Sequence, residues 1–360
     1  MTDTALQARV AAALTGVVNP RTGRDVISGG QVGEVRVSPQ GEVLIAFTLA
    51  GEDPASLVRE ARRAVQQVEG VTDVRVDVKG TPAPPTPKTV PPPTPSALPN
   101  LGKVIAVSSG KGGVGKSTVS VNLAVALAAR GHRVGLMDGD IYGPNIPRML
   151  GVVGEEPTIT SDRRIRPLEA HGVRLISLGS LIDRAAATIW RGPIITKIIQ
   201  QFLGEVDWGQ LDYLVVDLPP GTGDAQLSLV QNVHVAGGII VTTPQEVAVG
   251  DALRGAKMFE KVGVPILGIV ENMSGFVCPH CGERTDIFAT GGGRRLADEL
   301  GVPLLAEVPI HAHVQQLGEA GTPVVLAEPD APTGRALRAL AEHVEREVAA
   351  RAVRLPTIVD

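Results

Sequence analysis

Residues 103–118 read Lys-Val-Ile-Ala-Val-Ser-Ser-Gly-Lys-Gly-Gly-Val-Gly-Lys-Ser-Thr, an apolar run that leads into a glycine-rich loop. Within the loop, two glycines flank four residues and are followed by Lys116 and Ser117, and a helical pattern of apolar residues begins directly afterwards. This pattern is typical of phosphate-binding loops, and its position between a strand and a helix makes it specific. The stretch therefore predicts a nucleotide-binding P-loop domain of the α/β class.

The residue types of this loop suit the binding of phosphate. Glycines let the backbone N–H groups turn toward phosphate oxygens, and the N-terminus of the following helix adds its partial positive charge. Lys116 is expected to reach the β- and γ-phosphates, and the hydroxyl of Ser117 is expected to bind Mg²⁺. The residues of the loop that we expect to contact the nucleotide are Gly110, Lys111, Gly112, Gly113, Val114, Gly115, Lys116, Ser117 and Thr118.

Outward from the loop, short apolar runs alternate with helical patterns. Runs of this kind are typical of strands that are buried on both faces of a parallel sheet. The pattern predicts a doubly wound, mostly parallel sheet over residues 101–360, with ligands at the carboxyl ends of the strands. The predicted strands are 104–108, 133–137, 173–178, 213–217, 238–242, 266–270 and 304–308, and the predicted helices include 117–130, 247–262 and a last one over about 333–353.

Residues 81–100 separate this domain from the start of the chain. Nine of these twenty residues are proline, which excludes a helix or a central strand and favours a semi-rigid linker. Before the linker, residues 1–80 show a helix, two strand-like runs, a second helix and a last strand, in that order. We therefore expect a small α+β domain at the front, without a catalytic cluster of its own.

Acidic loops follow two of the predicted strands of the large domain. Asp138 and Asp140 come after one strand, whereas Asp217 ends another and is followed by a turn rich in proline and glycine. Ligands bind at the carboxyl ends of strands in this class of sheet, so these carboxylates are expected beside the P-loop. Carboxylates in that place are suited to hold Mg²⁺, directly or through water, or to orient the water that attacks the γ-phosphate.

The chain has two cysteines, Cys278 and Cys281, in a Cys-x-x-Cys pair late in the sequence. Such a pair is compatible with a redox dithiol, with half of a zinc site and with half of an iron–sulfur cluster site. Closed metal sites need about four ligands, and a symmetric dimer that brings two pairs together supplies four thiolates. We interpret His280 as a turn residue, and the sequence alone does not assign His311 or His313 as ligands.

The composition excludes several classes of partner. A net charge of −4 gives no broad attraction to nucleic acid or to an anionic membrane, and 2% aromatic residues offer few stacking surfaces for single strands. The sequence shows no secretory signal pattern and no apolar run of the length, about 18 residues, that spans a bilayer. Two closely spaced cysteines cannot form a disulfide framework, and we therefore expect a cytoplasmic protein. From the net charge and the lack of a long apolar run we expect that it binds neither nucleic acid nor membrane.

Lys111 is an additional lysine near the start of the loop. In this feature the loop resembles the deviant P-loop ATPases of the MinD, ParA and nitrogenase iron-protein class. The resemblance implies that Lys111 reaches across a homodimer to the nucleotide of the partner, a catalytic role comparable to that of an arginine finger. One loop cannot easily place both of its lysines on one nucleotide, which favours this role.

The whole set of motifs resembles the Mrp/ApbC family of iron–sulfur cluster carriers over about residues 100–325. These motifs are the P-loop, residues 138–144, residues 217–224, residues 271–275 and the Cys-x-x-Cys pair. The resemblance implies an ATPase that binds a [4Fe-4S] cluster between the subunits of a homodimer through Cys278 and Cys281. It further implies that the cluster passes to apo-proteins, with iron–sulfur assembly scaffold proteins as additional partners.

The resemblance also assigns roles to individual residues. Asp140 is expected to position the attacking water, with Asp138 closer to the Mg²⁺ shell and Asp217 supporting the metal ion. Asn272 is expected to contact the adenine, and Pro309 is expected to pack on the base. These two contacts favour ATP over GTP as the nucleotide.

The front domain resembles the small domain that is often fused to this family and departs from it in two places. Asn19, Pro20 and Arg21 stand where that domain usually has Asp-Pro-Glu, and residues 51–54 contain no cysteine where one is usual. These departures exclude a thiol role for the front domain and leave a binding role.

Two other functions fit the same motifs. One is a positioning or partitioning ATPase of the MinD or ParA type, which would bind lipid or DNA in an ATP-dependent manner. The other is a dimeric ATPase whose cysteine pair forms a structural zinc clasp, because thiolates suit zinc as well as iron–sulfur clusters.

Overall fold

The computed structural model describes residues 4–49, 53–54, 56–80, 98–140, 143–180, 192–221, 223–278 and 280–352. The chain forms two compact units, Met1–Pro91 and Pro92–Asp360. Most of the expected linker, 81–97, lies outside the described residues, as do single positions of the predicted motifs (residues 51, 52, 141, 142, 222 and 279). Among the described helices, none combines the length and the apolar character needed to cross a bilayer.

The small unit is built on a three-stranded sheet with the strand order β1-β2-β3. Strands β1 and β2 are antiparallel, whereas β2 and β3 are parallel. Along β2, the side chains of Val43, Ile45 and Phe47 are buried, because alternate residues of a strand face the same side of the sheet. The elements are α1 (Thr4–Thr15), β1 (Val32–Val37), β2 (Glu42–Leu49), α2 (Ser56–Gln66) and β3 (Asp73–Gly80).

The large unit alternates strands and helices along the chain. Its first half comprises β4 (Lys103–Ser109), α3 (Lys116–Ala129), β5 (Val134–Asp138), α4 (Ile146–Met149), β6 (Thr158–Ile159), β7 (Ile165–Arg166), β8 (Leu168–Ala170), β9 (Val173–Ser177), α5 (Gly192–Gly204) and β10 (Tyr213–Asp217). Its second half comprises α6 (Asp224–Asn232), β11 (Val235–Thr242), α7 (Glu246–Lys261), β12 (Ile266–Val277), β13 (Arg284–Thr285), α8 (Gly292–Leu300), β14 (Leu304–Ile310), α9 (His313–Glu319), α10 (Val324–Ala327) and α11 (Pro332–Ala352).

The central sheet of the large unit has nine strands. Its order is β13-β12-β11-β4-β10-β5-β9-β8, with β14 paired to β12. The pairs between β4, β5, β9, β10, β11, β12 and β14 are parallel, whereas β8 and β13 are antiparallel to their neighbours. The predicted α/β class with a mostly parallel sheet and a small front domain is therefore confirmed.

Helices pack on both faces of this sheet, which explains why its strands are apolar throughout. On β4, Ile105 and Val107 belong to the buried cluster that includes residues of α3, α10 and α11. The intervening Val104 and Ala106 belong to the other cluster, which includes residues of α5, α6, α7 and α8. A strand between two helical layers has no solvent face, so alternation with polar residues is absent.

Strand β12 is longer than the sequence pattern predicts. The predicted strand covers residues 266–270, whereas the observed strand continues to Val277 and pairs with β13. The prediction ended too early because residues 272–275 resemble a turn, and their backbone is irregular: φ is 58° at Met273 and 95° at Gly275. The pairing with β14 also shifts register between Asn272 and Phe276. The extended half of β12 leads directly to the cysteine pair.

Candidate functional site

The P-loop joins the carboxyl end of β4 to the first residue of α3. Gly115 has a φ of 80°, a left-handed conformation that side chains rarely adopt. A Cβ at Gly115 would also lie 2.2 Å from Nδ2 of Asn272, and a Cβ at Gly110 would lie 2.0 Å from the backbone of Asp251. The two outer glycines are thus required by close packing, and helix α3 begins at Lys116 with its N-terminus toward the loop.

Asp217 is the centre of a buried network below this loop. Its Oδ2 atom lies 2.8 Å from Nζ of Lys116 and accepts a hydrogen bond of 2.6 Å from the hydroxyl of Ser117. Its Oδ1 atom accepts a second bond of 2.6 Å from the hydroxyl of Ser120. Asp217 is fully buried, so its charge is stabilised by these partners instead of by water. The structure thus brings the predicted lysine, serine and aspartate into direct contact.

Asp138 lies beside Asp217 on the neighbouring strand, where the two residues are paired in register. Its Oδ1 atom accepts the N–H of Asp140 at 3.1 Å, and its Oδ2 atom accepts the hydroxyl of Ser177 at 2.8 Å. Burial, together with the nearby charge of Asp217, raises the pKa of Asp138 to about 8. Two buried carboxylates beside the P-loop form an oxygen-rich site that suits a divalent cation.

Asp140 and Lys111 lie at the mouth of the P-loop cavity. This cavity of about 210 Å³ is lined by both residues, by the loop, and by Asn145 and Pro220. A carboxylate oxygen of Asp140 lies 3.8 Å from Nζ of Lys116. Lys111 is half-buried, and within the described part of the chain its ammonium group has no carboxylate partner. Both predicted catalytic groups therefore lie beside the space for the phosphates.

A larger cavity of about 530 Å³ adjoins the P-loop cavity. Gly115, Thr118 and Asn145 line both cavities, which makes them direct neighbours. Asn272 and Pro309 line the larger cavity, and the amide of Asn272 donates a hydrogen bond of 2.9 Å to the carbonyl of Val114 in the P-loop. The two residues that were expected to contact the base thus lie together, next to the end of the phosphate site.

The loop after β10 is fastened by a side chain that the sequence did not single out. The buried Gln226 of α6 donates hydrogen bonds of 3.0 Å to the carbonyls of Pro219 and Gly221 and accepts one from the N–H of Gly223. The N–H of Gly221 in turn donates to the carbonyl of Ser109 at the end of β4. This loop is therefore linked to both α6 and the P-loop strand.

The cysteine pair lies in the tight turn between β12 and β13. The N–H of Cys278 donates to the carbonyl of Glu283, and the N–H of Gly282 donates to the carbonyl of Cys278, both at 2.9 Å. Hydrogen bonds from the backbone amides of Cys281 and His280, together with the Cys281 thiol, lower the pKa of Cys278. A lowered pKa favours the thiolate, which is the form that binds metals. Cys278 is half-buried, Cys281 is exposed, and both are free.

The cysteine turn and the nucleotide cavities do not form a single site. Neither cysteine lines either of the two cavities, and Cys278 follows the end of β12, six residues after Asn272. Among the residues that the structure describes, no His, Asp or Glu side chain forms a three-ligand group with the two cysteines. One copy of the chain therefore presents two ligands at an accessible turn.

The sequence analysis did not identify the two serines, Ser120 and Ser177, that bond to the aspartates. Ser120 lies on α3 within one turn of Lys116 and Ser117, and this helical spacing was a usable signal. Ser177 ends β9, and its partner Asp138 ends β5; only the order of strands in the sheet brings them together. No local pattern in the sequence indicates that second contact.

Comparison with known proteins identifies relatives of both units. Residues 100–345 match the family described as the NUBPL iron-transfer P-loop NTPase, and residues 7–78 match a family described as an iron–sulfur cluster assembly protein. The iron–sulfur cluster carrier protein of Deinococcus radiodurans is 46% identical over 341 residues, which covers 94% of this chain and 95% of that relative.

Two solved structures share the fold of the large unit. The nucleotide-binding protein of Archaeoglobus fulgidus in complex with ADP, in which cobalt was found, is 40% identical with a TM-score of 0.57 and covers 64% of this chain and 90% of its own. The septum site-determining protein MinD of Pyrococcus horikoshii with Mg-ADP is 25% identical with a TM-score of 0.54 and covers 71% of this chain and 100% of its own.

The matches confirm the resemblance that the motifs predicted, and they favour a cluster carrier over a positioning ATPase. The relative that spans nearly the whole chain carries iron–sulfur clusters by name, whereas the MinD likeness is confined to the fold of the large unit at lower identity. The chain belongs to the family of NUBPL iron-transfer P-loop NTPases.

Proposed function

We propose that this protein is an ATP-hydrolysing carrier that binds a [4Fe-4S] cluster at the interface of a homodimer and transfers it to apo-proteins. The observation that carries the proposal is the turn of Cys278 and Cys281, two accessible thiols of which one has a lowered pKa. Iron–sulfur clusters of this type are held by four thiolates. Two copies of the turn supply that number, and a two-fold axis presents the same surface from each copy.

The cluster is the cargo of this protein and does not take part in ATP hydrolysis. An accessible turn suits a cargo that must leave, because the partner that receives the cluster needs to approach the thiolates. Scaffold proteins that supply the cluster would use the same access. The two ligands per chain also mean that separation of the two copies would remove half of the ligand set at once.

The residues around the P-loop support ATP hydrolysis with Mg²⁺. Bound Mg²⁺ would neutralise part of the phosphate charge, and Ser117, Asp217 and Asp138 are the oxygen ligands or their supports. Asp140 lines the smaller cavity, where it would orient the attacking water. Lys116 would leave Asp217 for the β- and γ-phosphates.

Lys111 would complete the site in the partner subunit. Its ammonium group has no carboxylate partner in the part of the chain that the structure describes, and it lies beside the phosphate cavity. A cation supplied across an interface stabilises the charge that develops during phosphoryl transfer. Hydrolysis would thus depend on the same dimer that holds the cluster.

The nucleotide is proposed to be ATP because of the larger cavity. Asn272 and Pro309 line it next to the P-loop, so the base would lie against them while the phosphates occupy the smaller cavity. The ADP of the Archaeoglobus relative has the same base.

Anaerobic reconstitution with iron and sulfide tests the carrier function. The protein is expected to become brown and to bind about four iron atoms per dimer. Cys278→Ser and Cys281→Ser are expected to abolish this binding, whereas His280→Ala, in the same turn, is expected to retain it. A colourless protein that instead holds stoichiometric zinc would replace the carrier by a dimeric ATPase with a zinc clasp.

A further inference from the structure

Three potential metal ligands converge at one edge of the larger cavity. His311 follows β14, His313 begins α9, and Glu328 directly follows α10. Nε2 of His311 lies 3.3 Å from Oε2 of Glu328, and Nδ1 of His313 lies 2.8 Å from Oε1 of the same carboxylate. Candidate ligand atoms of all three side chains lie within 4.8 Å of one another. Three consecutive elements, β14, α9 and α10, thus bring two imidazoles and one carboxylate close together.

We propose that His311, His313 and Glu328 bind a divalent transition-metal ion such as Zn²⁺. This site is separate from the cysteine turn and from the oxygen-rich Mg²⁺ site, and it does not depend on the cluster-carrier function. Imidazole ligands favour zinc and related transition metals, whereas Mg²⁺ favours oxygen ligands.

The geometry of the three side chains fits such an ion. Zinc lies about 2 Å from imidazole nitrogen and carboxylate oxygen, so that tetrahedral ligands are roughly 3.3 Å apart. The observed separations are 3.3 Å from His311 to Oε2 and 2.8 Å from His313 to Oε1 of Glu328, and the second is a direct hydrogen bond that a bound ion would replace. Nδ1 of His311 is buried without a hydrogen-bond partner among the described residues, which leaves Nε2 as the nitrogen that faces the other ligands.

The site would have an open fourth position. Three protein ligands of the His₂Glu type leave one position of a tetrahedral ion for water or another ligand. The side chain of His313 is 56% exposed and that of Glu328 is 31% exposed, so an ion can enter from solvent. Without an ion, a partly exposed imidazole–carboxylate pair contributes little to stability.

A bound ion would join two segments that line the larger cavity. Pro309 and His311, at the end of β14, and Val324 of α10 all line the cavity. Thr333 of α11 already bonds to the end of β14 through a hydrogen bond of 3.0 Å from its hydroxyl to the carbonyl of Pro309. The ion would add a link from β14 to the residue that follows α10.

The test is a titration of the full-length chain in which both cysteines are replaced by serine, after chelator treatment and without nucleotide. Co²⁺ is the probe, because its visible absorption reports nitrogen and oxygen ligation and Zn²⁺ is expected to displace it. We expect a Zn²⁺-displaceable Co²⁺ ion, about one per chain, at this site. His313→Ala and Glu328→Gln, added separately, are each expected to weaken its binding at least about tenfold.

The control is His234→Ala, which removes an exposed imidazole that belongs to no three-ligand group among the described residues. This variant is expected to bind Co²⁺ as its parent does. Thermal unfolding in the presence of chelator checks that each variant is folded. Equal Co²⁺ affinity in the parent, His313→Ala and Glu328→Gln proteins would overturn the proposal, as would the absence of Zn²⁺-displaceable Co²⁺.

Discussion

At the scale of single residues, the site contains buried charged groups that are paired with one another. Nucleotide binding would have to change this pairing. Lys116 is almost completely buried and is paired with Asp217, while Asp138 lies next to that pair with a strongly raised pKa. Arrangements in which burial and like charge shift a pKa are typical of functional sites. The buried carboxyl group of Asp138 therefore lowers the stability of the nucleotide-free protein.

Replacement of Asp138 by Asn is expected to stabilise the nucleotide-free protein by about 1 kcal/mol. The amide has the same shape, can still bond to Ser177 and the N–H of Asp140, and carries no charge beside Asp217. Chemical unfolding without Mg²⁺ or nucleotide measures this difference. ATP hydrolysis by the same variant is expected to fall, because a proposed support of the Mg²⁺ site is lost.

The pH dependence of the free energy of unfolding provides a second test of the effect of Asp138→Asn. Because the pKa of Asp138 rises from 3.8 to about 8 on folding, the folded state holds a proton that the unfolded state releases between these values. This contribution to the free energy of unfolding therefore falls as pH rises from about 4 to about 8. The advantage of Asp138→Asn should grow across that window, and Asp162→Asn, at an exposed position, should show no such trend. A destabilised Asp138→Asn protein at pH 8 would contradict the argument.

The aspartates were predictable from sequence, but their partners were not. Asp138 and Asp217 each end an apolar run, and the class of sheet places such ends next to the P-loop. Their serine partners depend on strand order and on the depth of α3 against β10, which are tertiary properties. The same reason explains His311, His313 and Glu328: nothing in their spacing indicates that a carboxylate after α10 meets both rings.

At the scale of elements, the sequence predicts regular strands well and irregular ones poorly. The strands from β4 to β14 that lie inside the sheet coincide with apolar runs, because burial on both faces leaves a continuous signal. The second half of β12 lacks that signal, since Met273 and Gly275 have positive φ angles and the residues around them are polar or small. Its extended form is stabilised by pairing with β13 and β14, which lie later in the chain.

Helix α6 holds the loop before it through the side chain of Gln226. The variant Gln226→Ala tests this role. The variant removes the side-chain partner of two partly buried backbone carbonyls and one N–H, so we expect the free energy of unfolding to fall by about 1 kcal/mol. Urea unfolding measures the change. Gln231→Ala, at an exposed position of the same helix, serves as the control and should have little effect. Equal stability of the two variants would show that the loop does not depend on Gln226.

At the scale of the whole molecule, each unit has its own hydrophobic core. The buried cluster of the small unit contains only residues before position 75, and the two clusters of the large unit contain only residues after position 100. The cysteine turn and both nucleotide cavities belong to the large unit. The proposed carrier cycle therefore uses the large unit, and it requires a second copy of that unit.

The need for a second copy is tested by Lys111→Ala. If Lys111 acts on the nucleotide of the partner, the variant should bind ATP nearly as tightly as the parent while its turnover falls by about 10³-fold or more. Nucleotide binding by calorimetry and phosphate release measure the two quantities. Lys103→Ala, at an exposed position at the start of β4, should change neither. Unchanged turnover in Lys111→Ala would remove the main argument for a shared site.

Strand β12 connects the two proposed sites, since Asn272 bonds to the P-loop and the strand ends at Val277, directly before Cys278 of the cysteine turn. Binding free energies that are coupled through one element obey reciprocity. A nucleotide that weakens cluster affinity tenfold through β12 must itself bind ten times more weakly to the loaded protein. Cluster occupancy then changes nucleotide affinity by the same factor by which the nucleotide changes cluster affinity, and in that case an empty carrier would bind ATP more tightly than a full one.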